Sequence, residues 1–273
     1  MLQRIGNVIL RAAKDQLFSA YRNPPEILEE GSRALLSLFL AVAALTALGV
    51  VVWYAVAAPE SQWLGRSLTR GPGDSPAVAL TFDDGPGEQT PPVLDLLKQA
   101  NVRATFFLCG ENVERFPDLA RRIADEGHEI GNHTYSHPRL LGRTPGKIAL
   151  EIDRAQKVIE HRTGRVPRWF RPPYGLRWFG LFPILRSRGL AAAMWSVNAK
   201  DWRVSADRIV ERVVRGAHPG AIILLHDGLP PRAQGNRQAT VEALPRILQE
   251  LSPRYRFVGV SEMQPSPQRQ SQR

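Results

Sequence analysis

A chain of 273 residues with 43% hydrophobic and 23% charged side chains has the make-up of one packed, catalytic-size domain with attachments. That balance excludes a disordered, collagen-like or disulfide-scaffold protein. The single cysteine, Cys109, excludes an internal bridge or a zinc ribbon, so any metal must sit on histidine and carboxylate. Thirty-six basic residues against 26 acidic ones leave a net charge of +10, a bias toward anionic surroundings such as phospholipid, phosphate-bearing polymers or nucleic acid.

Residues 1–33 carry five basic and four acidic side chains. Ile5, Val8, Ile9, Leu17 and Phe18 with Arg4, Arg11 and Lys14 fit an amphipathic helix on a membrane face, and a plain solvated helix fits them nearly as well. From Ala34 to Ala58 no residue is charged, and these 25 positions as a helix, at ~1.5 Å per residue, span a ~30 Å hydrocarbon layer. Trp53 and Tyr54 lie near one end, where amphipathic rings settle at headgroup level. A cleaved signal peptide competes with this reading, because Ala55-Val56-Ala57 offers small residues at a cleavage position. The run exceeds the ~7–15 residues of a signal core, which favours an uncleaved transmembrane helix over 34–58. Lys14, Arg22 and Arg33 on the amino side against Arg66 and Arg70 beyond it predict a cytoplasmic segment 1–33. The chain then reads as a single-pass membrane protein with its large carboxy-terminal part on the extracytoplasmic side.

Residues 59–76, with three prolines and three glycines, read as a linker, and 262–273 as a disordered tail. Between them, apolar runs predict strands at Val78–Phe82, Ala104–Leu108, His128–Gly131, Trp169–Arg171, Ala191–Val197, Ala221–His226 and Tyr255–Val258. Helical periodicity separates them at Pro92–Gln99, Val113–Glu126, Gly146–Arg162, Phe179–Arg188, Asp207–Arg215 and Val241–Glu250. Pro91, Pro92 and Pro145 suit helix starts, and Gly127 and Gly189 suit stops. Strands alternating with helices imply an α/β domain over 77–261 with parallel pairing, and seven or eight such units can close a (β/α) barrel. The competing doubly wound sheet would want a glycine-rich turn after its first strand, and Asp83-Asp84-Gly85-Pro86 is not that pattern.

Polar, titratable groups recur after the strands, where a barrel carries its chemistry. Strand one ends in Asp83-Asp84, a pair that is more often a turn or cap, but here is pushed out of a buried strand and wants a cation or proton between its charges. His133 and His137 are four apart, and Pro138 places them on a loop rather than a helix. HxxxH alone is weak; with the Asp pair it becomes a two-His, one-carboxylate set with coordination positions left for water. His226 closes the apolar run Ala221-Ile222-Ile223-Leu224-Leu225, suited to proton transfer unless it is a satisfied core residue. Arg171 is either a surface cation or a fork that holds a carboxylate, and Asp201 either a helix cap or the group that orients His226. His128, His161, His218 and Cys109 receive structural readings.

These residues resemble the polysaccharide deacetylase family, the NodB homology domain, in five ordered motifs. They are Thr81-Phe82-Asp83-Asp84-Gly85, His133-Thr134-Tyr135-Ser136-His137, Arg171-Pro172-Pro173-Tyr174-Gly175, Asp201-Trp202 and Leu224-Leu225-His226. The resemblance covers about residues 77–261 and implies a distorted (β/α) barrel, often of seven strands. It implies one divalent metal ion, zinc or another divalent transition metal, held by Asp84, His133 and His137. It further implies Asp83 as general base held by Arg171, and His226 as general acid tuned by Asp201. The backbone N–H of Tyr174 would meet the oxyanion, with Trp202 and Leu224 walling the acetyl methyl. The fourth motif of the family often starts with an acid three places before its Asp-Trp; here that place is Asn198.

The resemblance thus implies a metal-dependent hydrolase that removes N-acetyl groups from a cell-envelope or extracellular glycan of N-acetylglucosamine type. Rival readings are a catalytically silent glycan-binding barrel and a membrane-tethered amidohydrolase of the same superfamily acting on a small cyclic amide. Nucleic acid is not an expected partner: residues 77–262 hold 27 basic and 20 acidic side chains, with no aromatic–basic binding motif. Arg139, Arg143, Trp178 and Arg203 are candidates for choosing among glycans.

Overall fold

The structure, a computed structural model, describes residues 14, 15, 18 and 26–264. Most of the amphipathic stretch expected before residue 34, and positions 265–273 of the expected tail, lie outside the described residues. The chain divides into two compact units, Met1–Trp53 and Tyr54–Arg273. Helix α1 runs Glu26–Ala57. Within its Ser32–Ala57 stretch an 18-residue window has a mean hydropathy of 2.7, and the stretch is, by length and composition, long enough to cross a membrane. Its large apolar side chains from Leu35 to Trp53 are exposed, an arrangement that water disfavours and a hydrocarbon layer does not.

In the second unit, parallel strands alternate with helices. In order come β1 (Ser67–Leu68), β2 (Ala77–Asp83), α2 (Thr90–Gln99), β3 (Thr105–Leu108), α3 (Gly110–Arg115), α4 (Pro117–Asp125), β4 (Glu129–Asn132) and α5 (Pro145–Thr163). There follow β5 (Trp169–Phe170), α6 (Leu181–Ser187), β6 (Ala191–Ala193), β7 (Val197–Asn198), α7 (Ala206–Gly216), β8 (Ile222–His226), α8 (Gln238–Leu251) and β9 (Arg256–Phe257). The sheet runs β1-β6-β5-β4-β3-β2-β8-β7, with β9 beside the start of β2. β6 and β7 stand toward opposite ends of that order yet are joined by Met194–Ser196 alone, so the sheet curls back on itself as a distorted barrel.

The expected seven strands are present, and two differences raise the number to nine. The run Ala191–Val197 divides into β6 and β7 where the chain turns the barrel's corner. The expected linker also contributes β1, which pairs with β6; Arg70 then bridges Ala221, and the Gly71 N–H donates to Gly220 O at 2.8 Å. A stretch of Pro and Gly with two pairing residues leaves no periodic signal, although it covers the barrel's seam. The helix expected over Val113–Glu126 is two helices, because Pro117 moves Phe116 out of helical geometry, to φ −128° and ψ 60°.

Period-two alternation sets the layers. Along β2, Val78, Leu80 and Phe82 pack outward against the helices, while Ala77 and Ala79 face inward with Phe107, Trp169, Ala193 and Ile222. Ile223 and Leu225 of β8 likewise join the outer core. The inward rows are therefore Ala77-Ala79-Thr81-Asp83 and Ile222-Leu224-His226, which deliver a carboxylate and an imidazole to one end of the barrel. Gly131, beside Phe107 in the ladder, has no room for a side chain, since a Cβ would lie 2.4 Å from the Phe107 ring. A second outer cluster joins Ile148, Ile152, Phe170, Leu181 and Leu185.

Phe106 is fully buried and stacks on Phe82 with 5.1 Å between ring centres. Phe106→Ala is expected to lower the unfolding free energy of the barrel by about 3–5 kcal/mol, read as a lower urea midpoint at unchanged slope.

Candidate active site

The carboxyl ends of β2, β4, β5 and β8 meet around a cleft of about 450 Å³. Asp83, Asp84, His133, His137, Tyr174, Trp202, Leu224 and His226 line it. Arg171 and Asp201 stand behind it, fully or nearly buried, each in contact with a lining residue. All ten expected site residues therefore converge.

Arg171 uses every arm of its guanidinium. Nη1 donates to Asp83 Oδ1 at 2.7 Å and to Thr81 Oγ1 at 2.8 Å, while Nε and Nη2 reach the carbonyls of Ala193 (3.1 Å) and Met194 (2.9 Å). The Phe107 ring lies 4.0 Å beneath it. Burial pulls the Arg171 pKa down and Asp83 pulls it back up, with a net lowering from the ordinary arginine value. One oxygen of Asp83 is thereby committed. The other, Oδ2, faces His133 Nε2 at 3.8 Å.

Alternation would send Asp84 to the outer layer, but its left-handed backbone, φ 68°, brings the carboxylate into the cleft beside Asp83. Asp84 Oδ1 is 3.1 Å from His137 Nε2 and 3.4 Å from His133 Nε2. Burial would raise this carboxyl; the two imidazoles more than reverse that and hold it well below the usual carboxylate range. His133 Nδ1 lies 2.7 Å from Arg171 O. A carbonyl can only accept, so Nδ1 carries a proton, and Nε2 is the nitrogen left to coordinate a cation.

Oδ1 of Asp84 is buried without a hydrogen-bond partner, and the ligand atoms of Asp84, His133 and His137 lie within 4.8 Å of one another. Such a set of acceptors needs an electrophile between them, and a divalent cation with nitrogen and carboxylate preferences fits it.

The loop carrying the imidazoles is fixed from outside. Glu151 of α5 accepts the N–H groups of Tyr135 (3.1 Å) and Ser136 (2.8 Å), and Asn132 Oδ1 accepts the Thr134 N–H at 2.9 Å. Thr134 and His137 have φ of 68° and 54°, so both histidines approach from a doubly turned loop rather than a helix. Asn112 clamps the other side, donating to Asp84 O at 2.7 Å. Gly85 is packed on Asp227, where a Cβ would meet the carboxylate at 2.5 Å.

Opposite Asp84 and the two imidazoles, His226 Nδ1 and Asp201 Oδ1 are 2.8 Å apart. The second oxygen of Asp201 accepts the His226 backbone N–H (2.8 Å) and the Thr240 hydroxyl (2.7 Å). Burial lowers the His226 pKa, but Asp201 outweighs it and the imidazole is raised to about 9. Trp202 packs edge-on to His226 at 5.1 Å and stays partly exposed. Tyr174, at φ 59°, lays its ring 4.7 Å from His137.

The residues given structural readings behave accordingly. His128 is pushed down to about 4 by burial and accepts the Ala104 N–H at 3.2 Å. Cys109 is buried, and burial with nearby carboxylates raises its thiol well above the ordinary value. Of the candidate selectivity residues, Arg139 and Arg203 line the cleft with Asn198, whereas Arg143 and Trp178 are not among its lining.

Sequence reasoning gave no role to Thr81, Asn112, Glu151, Asp227, Arg237 or Thr240. Thr81 alone had a usable signal, since it precedes Asp83 by two on the same strand face.

A family model described as polysaccharide deacetylase matches residues 70–193. The chain is 42% identical over 196 residues to a peptidoglycan-N-acetylglucosamine deacetylase of Bacillus cereus, covering 71% of this chain and 70% of that protein. It is also 42% identical over 187 residues to a chitooligosaccharide deacetylase of a Bradyrhizobium species, covering 65% and 85%. Among solved structures, it is similar to the Bc1960 peptidoglycan N-acetylglucosamine deacetylase in complex with 4-naphthalen-1-yl-N-oxidanyl-benzamide. That match has a TM-score of 0.68 at 41% identity and covers 72% of this chain and 92% of the other.

The folded His226 value of about 9 lies above the ordinary ~6.5. The proton's contribution to stability is thus complete below pH ~6.5 and is lost as pH rises through about 9. In Asp201→Asn the largest force opposing burial is gone and only Asp84 and Asp83 still act against it, so the His226 pKa measured by NMR in chelator-treated protein should fall well below about 9.

Proposed function

The chain belongs to the polysaccharide deacetylase family, and on that premise we propose how its own residues remove an N-acetyl group from a sugar of N-acetylglucosamine type. An amide resists hydrolysis at both ends: its carbonyl is a weak electrophile and its amine a poor leaving group. Asp84, His133 and His137 would hold a divalent cation, zinc being the expected ion. When bound, it adds Lewis-acid polarisation of the carbonyl and of an attacking water.

Asp83 is the general base. With Oδ1 tied to Arg171, Oδ2 takes a proton from the water as its oxygen bonds to the acetyl carbon. The backbone N–H of Tyr174 meets the negative charge that develops on the former carbonyl oxygen. His226, protonated with Asp201 behind it, gives its proton to the sugar nitrogen as the C–N bond breaks, releasing acetate and an amine. Trp202 and Leu224 wall the acetyl methyl. Arg171 and Asp201 are positioning residues that fix one oxygen of the base and the orientation of the acid.

The observation that carries this reading is the opposition of two differently loaded groups across one cleft. On one side Asp83 offers a carboxylate oxygen beside a ring of acceptors; on the other His226 retains its proton to about pH 9. A catalytically silent glycan binder has no need for that division of proton states.

We further infer that α1 anchors the chain as a single membrane span and that the catalytic unit lies on the extracytoplasmic side, beside envelope or extracellular glycans. Its exposed apolar length and the more numerous basic residues on its amino side support this, as do relatives named for peptidoglycan and chitooligosaccharides. The catalytic domain expected at 77–261 takes in β1 and Arg70 as well.

Asp83→Asn and His226→Ala should each lower acetate release from N-acetylated glycans by roughly 10²–10⁴-fold while leaving bound metal intact, measured by acetate assay and elemental analysis on the same samples. Near-normal turnover in either variant would sink that residue's role. Asp84→Ala and His133→Ala should instead lose the metal itself, and activity with it; a full complement of metal in either argues against the ligand set.

A further inference from the structure

The mouth of the cleft carries cations that nothing in the cleft neutralises. Arg139, Arg203 and Arg237 line it, and its acids are Asp83 and Asp84 alone. Asp83 is committed to Arg171 and Asp84 to the two imidazoles. Among the described residues, none of the three arginines has a carboxylate partner. Asn198 adds no charge, its Oδ1 accepting the Lys200 N–H at 2.9 Å.

The three stand on both sides of the reacting point. Arg139 follows the metal-side loop, its guanidinium 5.3 Å from the Tyr174 ring that in turn packs on His137. Arg203 follows Trp202, the residue against His226. Arg237 precedes α8; its Nη1 reaches Asn236 O at 3.3 Å, while its Nε is buried with no hydrogen-bond partner. A guanidinium keeps its charge and presents planar paired donors that match a carboxylate or a phosphate. A neutral N-acetylated sugar would leave those donors unmatched.

We propose that Arg139, Arg203 and Arg237 select N-acetylated glycans that carry an anionic group, carboxylate or phosphate, next to the sugar that is deacetylated. This rests on the deacetylase reading above and adds the substrate's charge to it. The arginines bind and orient; the chemistry stays with Asp83 and His226.

The test compares acetate release by the full-length, metal-loaded protein from matched oligomers. The first is a tetrasaccharide alternating N-acetylglucosamine with N-acetylmuramic acid, carboxylates free. The second is the same oligomer with each carboxylate converted to its methylamide. Chitotetraose and a phosphodiester-linked N-acetylglucosamine oligomer complete the set.

At low salt, kcat/KM for at least one anionic oligomer should exceed that for the neutral ones by about tenfold, or 1.4 kcal/mol. Whichever anion is preferred identifies the source of the charge. The preference should shrink as ionic strength rises from ~0.01 to ~1 M, because screening shortens from ~30 to ~3 Å. It should also collapse toward one in the combined Arg139→Gln, Arg203→Gln and Arg237→Gln variant, the ratio being taken within each protein.

Equal rates on charged and neutral oligomers at low salt would overturn the proposal and leave the deacetylase reading standing. So would a preference that survives the triple substitution or high salt. Acetate release from none of the four would overturn the deacetylase reading itself.

Discussion

Two consecutive carboxylates, buried side by side at the end of β2, set the constraint around which this barrel is arranged. Removing an ion from water is expensive unless a partner of opposite sign and a full set of hydrogen bonds replace the lost hydration. Asp83 and Asp84 meet the requirement differently, because a strand sends successive side chains to opposite faces and Asp84 then turns into left-handed geometry. Asp83 keeps to the inward row and finds Arg171. Asp84, turned back toward the cleft, finds imidazoles. The same backbone turn thus gives two neighbouring carboxylates different partners.

Arg171 ties that local solution to the whole fold. A fully buried guanidinium must satisfy its own donors, and here the acceptors come from β2 and from the chain leaving β6. Its own carbonyl meanwhile fixes the tautomer of His133. The residue that holds Asp83 thus also pins the point where the sheet turns its corner and orients His133. On the opposite wall, Asp201 accepts from the ring and backbone of His226 and from Thr240 in the first turn of α8, coupling the acid to the helix layer. A carboxylate behind an imidazole raises it, and a guanidinium behind a carboxylate occupies one of its oxygens. In the proposed reaction, these two buried pairs of inverse polarity divide the proton transfers between the walls.

Much of this was legible because a barrel maps strand ends onto one rim. Each catalytic motif sits where an apolar run stops, so Asp83, His133, Arg171 and His226 could be assigned to a common end from hydrophobic periodicity and order alone. What stayed hidden depends on contacts between distant segments. Glu151 reads as an ordinary exposed helix acid, yet it holds the backbone of Tyr135 and Ser136. Thr240 reads as a helix-start residue and reaches Asp201, 39 positions away. β1, two residues within a stretch of prolines and glycines, is too short to show alternation and is recognised only by its partner β6. Pro117 did carry a readable break signal, overridden here by the amphipathic pattern on either side of it.

The charges of the cleft fall into two classes that solvent treats differently. Deep in the barrel, Asp83 with Arg171 and Asp201 with His226 pair off at contact distance, shielded from salt by burial. At the mouth, Arg139 and Arg203 are exposed and unpaired, so their field extends outward and is screened within ~8 Å at physiological ionic strength. The inner pairs largely cancel and contribute little beyond the site; the outer cations set what a polymer meets on approach. Under the two proposals, capture and bond cleavage fall to separate sets of residues. The outer set can change with the glycan encountered while the inner set, constrained by its shared buried network, cannot change one member without stranding another.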